Sequence, residues 1–357
     1  MMLSGQKVRP TGELSFEHVQ GKTSITTAYS RYPLKFVSAT RACQGGCAWV
    51  YFLGYGGGAV CGDNVTVRCH VNQDCTAALT TQGSTKVYKR TARTRDSRVL
   101  GGEGDCERAS QSLLARVCSG ALLAMVPDPV TCFEDASFRQ HQRFLLERGA
   151  SLVLVDWITS GRMSRGEGWA FERLESRNEI MTQSLAEAER QDQAGAWEPL
   201  VLDSLILEEI PGLSIRDRML GMNVVGVVIL VGLRVEKAVS ALLQREARRR
   251  KRFPSGLEDP TKDAKPQRRS GDKTGQTKGE VEQEDVKKIL TGKDKGRVLS
   301  SVSPLEGSGG EARCRGLVCR FAAERTEDCR TMLHEILLPL KHELGGRSPY
   351  SREGGTC

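Results

Sequence analysis

The 357-residue sequence predicts a mainly β fold, and three observations lead there. Glycine is abundant at 38 residues while aromatic side chains make up 5%, a balance that suits turn-rich β architecture better than a helical bundle. Runs of β-branched and aromatic residues recur at strand length. The glycine-rich breaks between them are spaced like strand punctuation, and no βαβ unit is recognisable.

The strand candidates, in chain order, are Leu14 to Val19, Thr23 to Tyr29, Ala48 to Leu53, Val65 to Val71, Ser151 to Asp156 and Leu200 to Ile210. Turns are expected at Gly54 to Gly58, Gly101 to Gly104 and Gly161 to Gly168. The longest uncharged apolar run, Met219 to Leu233, is shorter than the ~20 residues a spanning helix needs. Its continuous Val-Val-Gly-Val-Val-Ile-Leu-Val core predicts a strand covered on both faces. No fixed-period repeat is visible, so periodicity alone does not argue for a solenoid.

Helical pattern comes late. From Thr326 to Leu344, residues Leu333, Ile336, Leu337, Leu340 and Leu344 share one face at steps of three and four. Thr326 is expected to cap the first turn, Glu327 and Asp328 to suit its positive end, and Gly345 to terminate it. A second helix is expected from Val235 to about Arg250, with Ala238, Leu242 and Leu243 on one side.

The net charge of +8 is local rather than general. Arg245 to Arg297 holds 17 Lys/Arg against 10 Asp/Glu, which leaves 35 against 34 elsewhere. Nucleic-acid binding needs its positive charge on an ordered surface, so a nucleic-acid partner is not expected. Arg248 to Arg297 is too poor in apolar side chains to offset its ordering entropy and is expected to be a disordered insertion. Its opening run, Arg248 to Arg252, resembles a nuclear import signal, although a solvated basic linker accounts for it more simply. Twelve cysteines are too dilute for a disulfide scaffold, and the first residues lack a charged-then-apolar leader. A cytoplasmic protein with no membrane partner is the expectation.

The stretch Gly56 to Asp63 lacks both phosphate-binding glycine patterns and is followed by strand signal, so a turn between strands is expected. The soft ligands Cys43, Cys47, Cys61, Cys69, His70, Cys75, Cys314, Cys319 and Cys329 contain no CxxC pair and read first as scattered thiols. The five histidines fall in no nucleophile or metalloprotease motif. What remains is a dense polar block from Asp156 to Glu167, in which Asp156, Arg162 and Glu167 are expected to pair in a buried charged network. Such a block could brace a turn, hold a cation loosely, or serve an enzyme as its acid–base site.

Further segments stand in order along the chain: Gly57-Gly58 with Gly62-Asp63, the run Leu79-Thr80-Thr81-Gln82-Gly83-Ser84-Thr85-Lys86-Val87-Tyr88, and Pro127-Asp128-Pro129-Val130-Thr131-Cys132-Phe133. Ser151 to Trp157, Ser160-Gly161-Arg162 and Gly166-Glu167 follow, and Leu333 to Tyr350 closes the series with its Pro-Tyr tail. On these segments together the chain resembles the urease accessory protein D family, called H in some bacteria, with Leu333 to Tyr350 similar to the family's terminal helix and tail. The resemblance implies a β-helix-like stack of strands with about two helices. One β-rich domain would comprise residues 12–247 and 298–350, interrupted by the charged insertion at 248–297 and flanked by flexible termini at 1–11 and 351–357. It also implies a non-catalytic scaffold that binds apo-urease and an F-type accessory protein, reaches the nickel-carrying G-type GTPase through the latter, and passes Ni²⁺ transiently without a tightly bound cofactor. On that basis Asp63, Asp156, Arg162 and Glu167 would line or brace a polar nickel route. Cys69 and His70 are a softer alternative, and Thr80 to Lys86 would shape the core or an interface.

Overall fold

The computed structural model describes residues 9–39, 46–89, 108–183, 197–252, 296–305 and 316–351. The expected turn at Gly101 to Gly104, Cys43, Cys314 and most of the charged insertion lie outside the described residues.

Two sheets face each other. The first contains β1 (Gly12–Val19), β2 (Lys22–Ser30), β6 (Asn64–Val71), β9 (Ala109–Val117), β12 (Ser137–Leu146), β14 (Arg173–Gln183) and β15 (Trp197–Glu208), in the order β15-β14-β12-β9-β6-β1-β2. The second runs β17-β18-β16-β13-β10-β7-β4-β3. Its strands are β3 (Leu34–Ser38), β4 (Ala48–Gly54), β7 (Thr76–Thr81), β10 (Leu122–Met125), β13 (Ser151–Thr159), β16 (Val224–Val231), β17 (Val298–Leu305) and β18 (Gly316–Ala323). Short strands β5 (Gly58–Ala59), β8 (Thr85–Val87) and β11 (Val130–Cys132) extend one end of it.

The chain shuttles between the sheets: β6 to β7, back to β9, across to β10, back to β12, across to β13 and back to β14. Each circuit lays a strand parallel to its predecessor, as in β6·β9, β9·β12 and β12·β14 on one side and β7·β10 and β10·β13 on the other. This is the expected β-helix-like stack, and the fold is mainly β. Among the described residues the parallel pairs are joined without helical crossovers, because the chain crosses through strands of the opposite sheet.

Register explains the apolar runs. All nine residues of β13 are buried. Leu152 and Leu154 point between the sheets, whereas Val153, Val155 and Trp157 point to the other face. That second face is covered by helices α2 (Glu236–Arg252) and α3 (Thr326–Leu337), through Ala238, Val239 and Leu242 of one and Met332, Leu333 and Ile336 of the other. A short α1 (Ile215–Arg218), with a Ser214–Asp217 capping box, precedes β16.

The late helix ends its α geometry at Leu337 and continues as a 3-10 turn over Leu338–Leu340, because Pro339 lacks the N–H that another α turn requires. Thr326 is the first helical residue and Arg325 occupies the cap without a side-chain bond. Asp328 instead accepts the Gly296 amide at 3.0 Å and the Arg325 guanidinium. Arg248 to Arg252 belong to α2 rather than to the insertion; Arg249 pairs with Glu246 and donates to the Ser300 carbonyl at 3.1 Å. The last of the six expected strands covers Trp197–Glu208 rather than reaching Ile210, which forms an isolated bridge to Leu213.

Candidate functional site

Between the sheets the inward face of β12, β14 and β13 is polar at mid-strand and apolar on either side. On β12 the inward sequence is Phe138, Gln140, Gln142, Phe144; on β14 it is Leu174, Ser176, Asn178, Ile180; on β13 it is Leu154, Asp156, Ile158. The apolar members join the two cores that bracket this level. Gln140 lies directly opposite Ser176, Gln142 opposite Asn178, and Asn178 opposite Asp203 of β15. The result is a buried polar layer across a sheet whose neighbouring levels are apolar.

Asp156 is its centre. It is 7% exposed, and its oxygens accept hydrogen bonds from Ser176 Oγ at 2.5 Å, Asn178 Nδ2 at 2.9 Å and Gln140 Nε2 at 3.0 Å. Burial raises its carboxyl above the usual range, against the lowering effect of those three donors, and the neighbouring Asp203 raises it further. Asp203 in turn accepts from Arg320 Nη2 at 2.7 Å, so the layer is tied to β18 of the opposite sheet. Gln142 donates to Asn178 Oδ1 at 2.9 Å, while its own buried carbonyl oxygen has no protein partner. Orphaned buried acceptors are rare in native proteins.

Arg162 and Glu167 do not join this layer. Arg162 Nε donates to Glu167 Oε2 at 2.8 Å and a second guanidinium bond makes the pair bidentate; the guanidinium also lies 4.0 Å over the Phe133 ring. The expected three-member network is therefore two separate units. The Arg162 hydrogen bond holds Glu167 below the usual carboxylate range, opposite in direction to Asp156. Opposed shifts suit acid–base chemistry, but Asp156 faces core donors and Glu167 is closed by arginine.

The glycine motifs serve this turn. Gly161 has φ 127°, and a Cβ there would meet the Glu167 carbonyl at 2.4 Å; Gly166 ends the following 3-10 turn at φ 76°. Ser160 donates its amide to the Asn223 carbonyl and accepts from Trp169 N, and its buried hydroxyl has no protein partner.

The other resemblance segments meet one another. Asp128 accepts from Gly83 N and Arg330 Nη2, and donates its amide to Thr81 Oγ1 at 2.9 Å. Thr85 N reaches the Pro129 carbonyl, Thr80 Oγ1 the Val126 carbonyl, and β8, with Lys86, pairs with both β5 and β11. The Pro127 carbonyl accepts both Trp157 Nε1 at 2.9 Å and Tyr350 Oη at 2.7 Å, which pins the C-terminal tail against the motif. Gln82 stays exposed in the turn after β7. Gly57 and Gly62 take positive φ, and Gly58 lies against the Lys86 carbonyl, where a Cβ would meet it at 2.4 Å. Asp63 accepts the Val60 amide at 2.9 Å, closing a local turn.

The soft candidates separate too. Cys69 and His70 are consecutive on β6 and therefore face opposite ways: Cys69 is 4% exposed in the apolar core, where burial pushes its thiol up to about 12. His70 faces out, with Nε2 3.4 Å from Cys118 Sγ. Thus Asp63, Asp156, Glu167, Cys69 and His70 do not converge, and among the described residues no three His, Cys, Asp or Glu side chains are gathered as a metal site. Among the described residues, no helix is long and apolar enough to cross a membrane.

On the outer face of the first sheet, Glu179 is surrounded by Arg143 at 2.6 Å, Arg177 at 2.7 Å and His141 at 3.2 Å. Burial alone would raise its carboxyl, yet the hydrogen bond and charge of Arg143, with its other neighbours, outweigh it and the net shift is downward. A depressed acid contributes stability that is whole above its ordinary pKa and lost as pH falls through the lowered one. Glu179→Gln is accordingly expected to melt below wild type at neutral pH, with the gap closing as pH drops below the carboxylate range, as a series of thermal melts will read.

The geometry defines a class: a two-sheet β coil with a polar layer inside its core. Residues 9–354 match the family model described as UreD urease accessory protein. The chain belongs to that family. It is 40% identical over 224 residues to urease accessory protein D of Oryza sativa subsp. indica, covering 62% of this chain and 65% of the relative. Identity is 39% over 229 residues with urease accessory protein D of Arabidopsis thaliana (64% and 69% covered) and 35% over 236 residues with urease accessory protein UreD of an Anaeromyxobacter species (66% and 70%). The matched stretch thus spans about two thirds of these curated relatives.

Proposed function

We propose that this chain is a non-catalytic scaffold that binds apo-urease and the F-type accessory protein, meets the nickel-carrying GTPase through the latter, and assists insertion of nickel. Family membership supports the urease side of this reading. The observation that carries the nickel side is the buried polar layer around Asp156. A carboxylate, carboxamides and a hydroxyl are oxygen donors that hold a borderline cation loosely, whereas a closed thiolate cage would halt it. In this proposal Ni²⁺ is cargo, no cofactor is tightly bound, and the protein works in the cytoplasm. Glu167 and Asp63 support turns at the margin of the route rather than touching the ion.

Co-purification with apo-urease and the F-type protein at moderate salt tests the scaffold. A three-component complex is expected, and failure of this chain to bind either partner would contradict the reading. Residues 253–295 are expected to be dispensable: replacing them with a short glycine–serine linker, leaving Arg249 and its contacts in place, should retain complex formation and urease activation. Loss of both would assign the insertion a task.

A further inference from the structure

We propose that the cleft at the end of the outer face of the first sheet is a binding site for a thiophilic first-row divalent ion, with His70 and Cys118 as its two anchoring ligands. This rests on the structure around the cleft and is independent of the urease reading.

Three successive circuits of the coil turn at the same level. After Val71, Val117 and Leu146 the chain reverses through positive-φ residues Asp74, Gly120 and Gly149. Cys118 N bonds to the Val71 carbonyl and Glu147 N to the Val117 carbonyl, both at 2.9 Å. Asn72, Cys118 and Glu147 consequently occupy equivalent, adjacent positions. One pleat back, His70 lies beside Arg116 on the same outer face. Stacking of turns thus delivers a thiol and an imidazole from different strands to one spot, and sets a carboxylate next to them.

The spacing suits a metal edge. His70 Nε2 and Cys118 Sγ are 3.4 Å apart. A tetrahedral ion bound by nitrogen at about 2.05 Å and sulfur at about 2.3 Å requires an N···S separation of about 3.5 Å. The pair opens onto a cleft of about 620 Å³ that Glu17, His18, Asp74 and Glu147 also line. Glu147 is held by Arg116 Nη2 at 2.8 Å and Ser119 N at 3.2 Å, so it joins the ion only by exchanging its arginine. No third His, Cys, Asp or Glu is gathered with the pair among the described residues, so water fills the remaining positions until Glu147 exchanges. Soft sulfur with imidazole selects Ni²⁺, Zn²⁺ or Co²⁺ over Mg²⁺ or Ca²⁺. Binding forms the S–metal bond as the Cys118 S–H breaks, and one proton leaves to solvent. The plainer alternative is a histidine–thiol hydrogen bond that only braces the turn.

The test is titration of the full chain with Co²⁺ in the presence of a non-thiol reductant, reading thiolate-to-cobalt charge-transfer absorption, followed by competition with Ni²⁺ and Zn²⁺. One equivalent is expected to produce the band, with one proton released per ion. Cys118→Ser should abolish it, His70→Gln should weaken binding by about tenfold or more, and Cys61→Ser should leave it unchanged. Absence of the band in the wild-type chain, or its survival in Cys118→Ser, overturns the proposal. Melts without metal establish that the variants fold; should Cys118→Ser not fold, unchanged affinity and proton release in His70→Gln would overturn the proposal equally.

Discussion

Asp156→Ala is expected to destabilise the protein by about 3 to 5 kcal/mol, because it strands the buried donors of Ser176, Asn178 and Gln140 together. A loss of that size conflates folding with function, so the informative variant is Asp156→Asn. Asparagine preserves the shape, and its carbonyl can still accept from Ser176 and Asn178. Its amide can donate to Gln140 once that side chain turns its oxygen inward. Asp156→Asn should therefore melt close to wild type while lowering nickel-dependent urease activation by about tenfold. Wild-type activation in Asp156→Asn would make the layer purely structural. The pH dependence has a definite sign. Because burial raises the folded-state pKa of Asp156, its stabilising share is whole below the ordinary carboxylate pKa and declines as pH rises through the raised one. The stability of wild type relative to Asp156→Asn should fall over that interval, opposite to the trend expected for Glu179→Gln.

The second large effect is expected at Gly161. Alanine there combines a φ of 127° with a Cβ 2.4 Å from the Glu167 carbonyl and 3.1 Å from that of Cys132. Strain and overlap together cost about 3 kcal/mol, a fall in melting temperature of roughly 6 °C or more. Gly166→Ala is the internal comparison, since its added Cβ meets nothing within 4 Å and only its φ of 76° is penalised, at about 1 kcal/mol. Similar melting temperatures for the two variants would contradict the close-packed turn.

What the sequence made legible follows from how strongly each element advertises itself. The run at Val224–Val231 and the face Leu333, Ile336, Leu337 announce themselves because burial on two faces or on one helical stripe imposes an apolar pattern. Strands β12 and β14 escaped because their inward positions are polar at mid-strand: Phe138-x-Gln-x-Gln-x-Phe144 and Leu174-x-Ser-x-Asn-x-Ile180 still alternate at period two, but not by hydrophobicity. That period was the signal that could have found the partners of Asp156. The placement of Asp156 beside Arg162 and Glu167 in one network failed because adjacency in the chain is not adjacency in a coil: β13 turns Asp156 inward, while the turn beyond carries the ion pair outward. Cys69 and His70 failed as a pair for the same reason, one pleat sending them to opposite faces. His70 found Cys118 only because stacked turns join residues 48 positions apart.

The most direct measurement is nickel-dependent activation of purified apo-urease by the F-type and G-type accessory proteins, with and without this chain. Activation that requires the wild-type chain, and is not restored by Asp156→Asn at equal complex formation, is the predicted result. Equal activation in the absence of the chain would contradict the account.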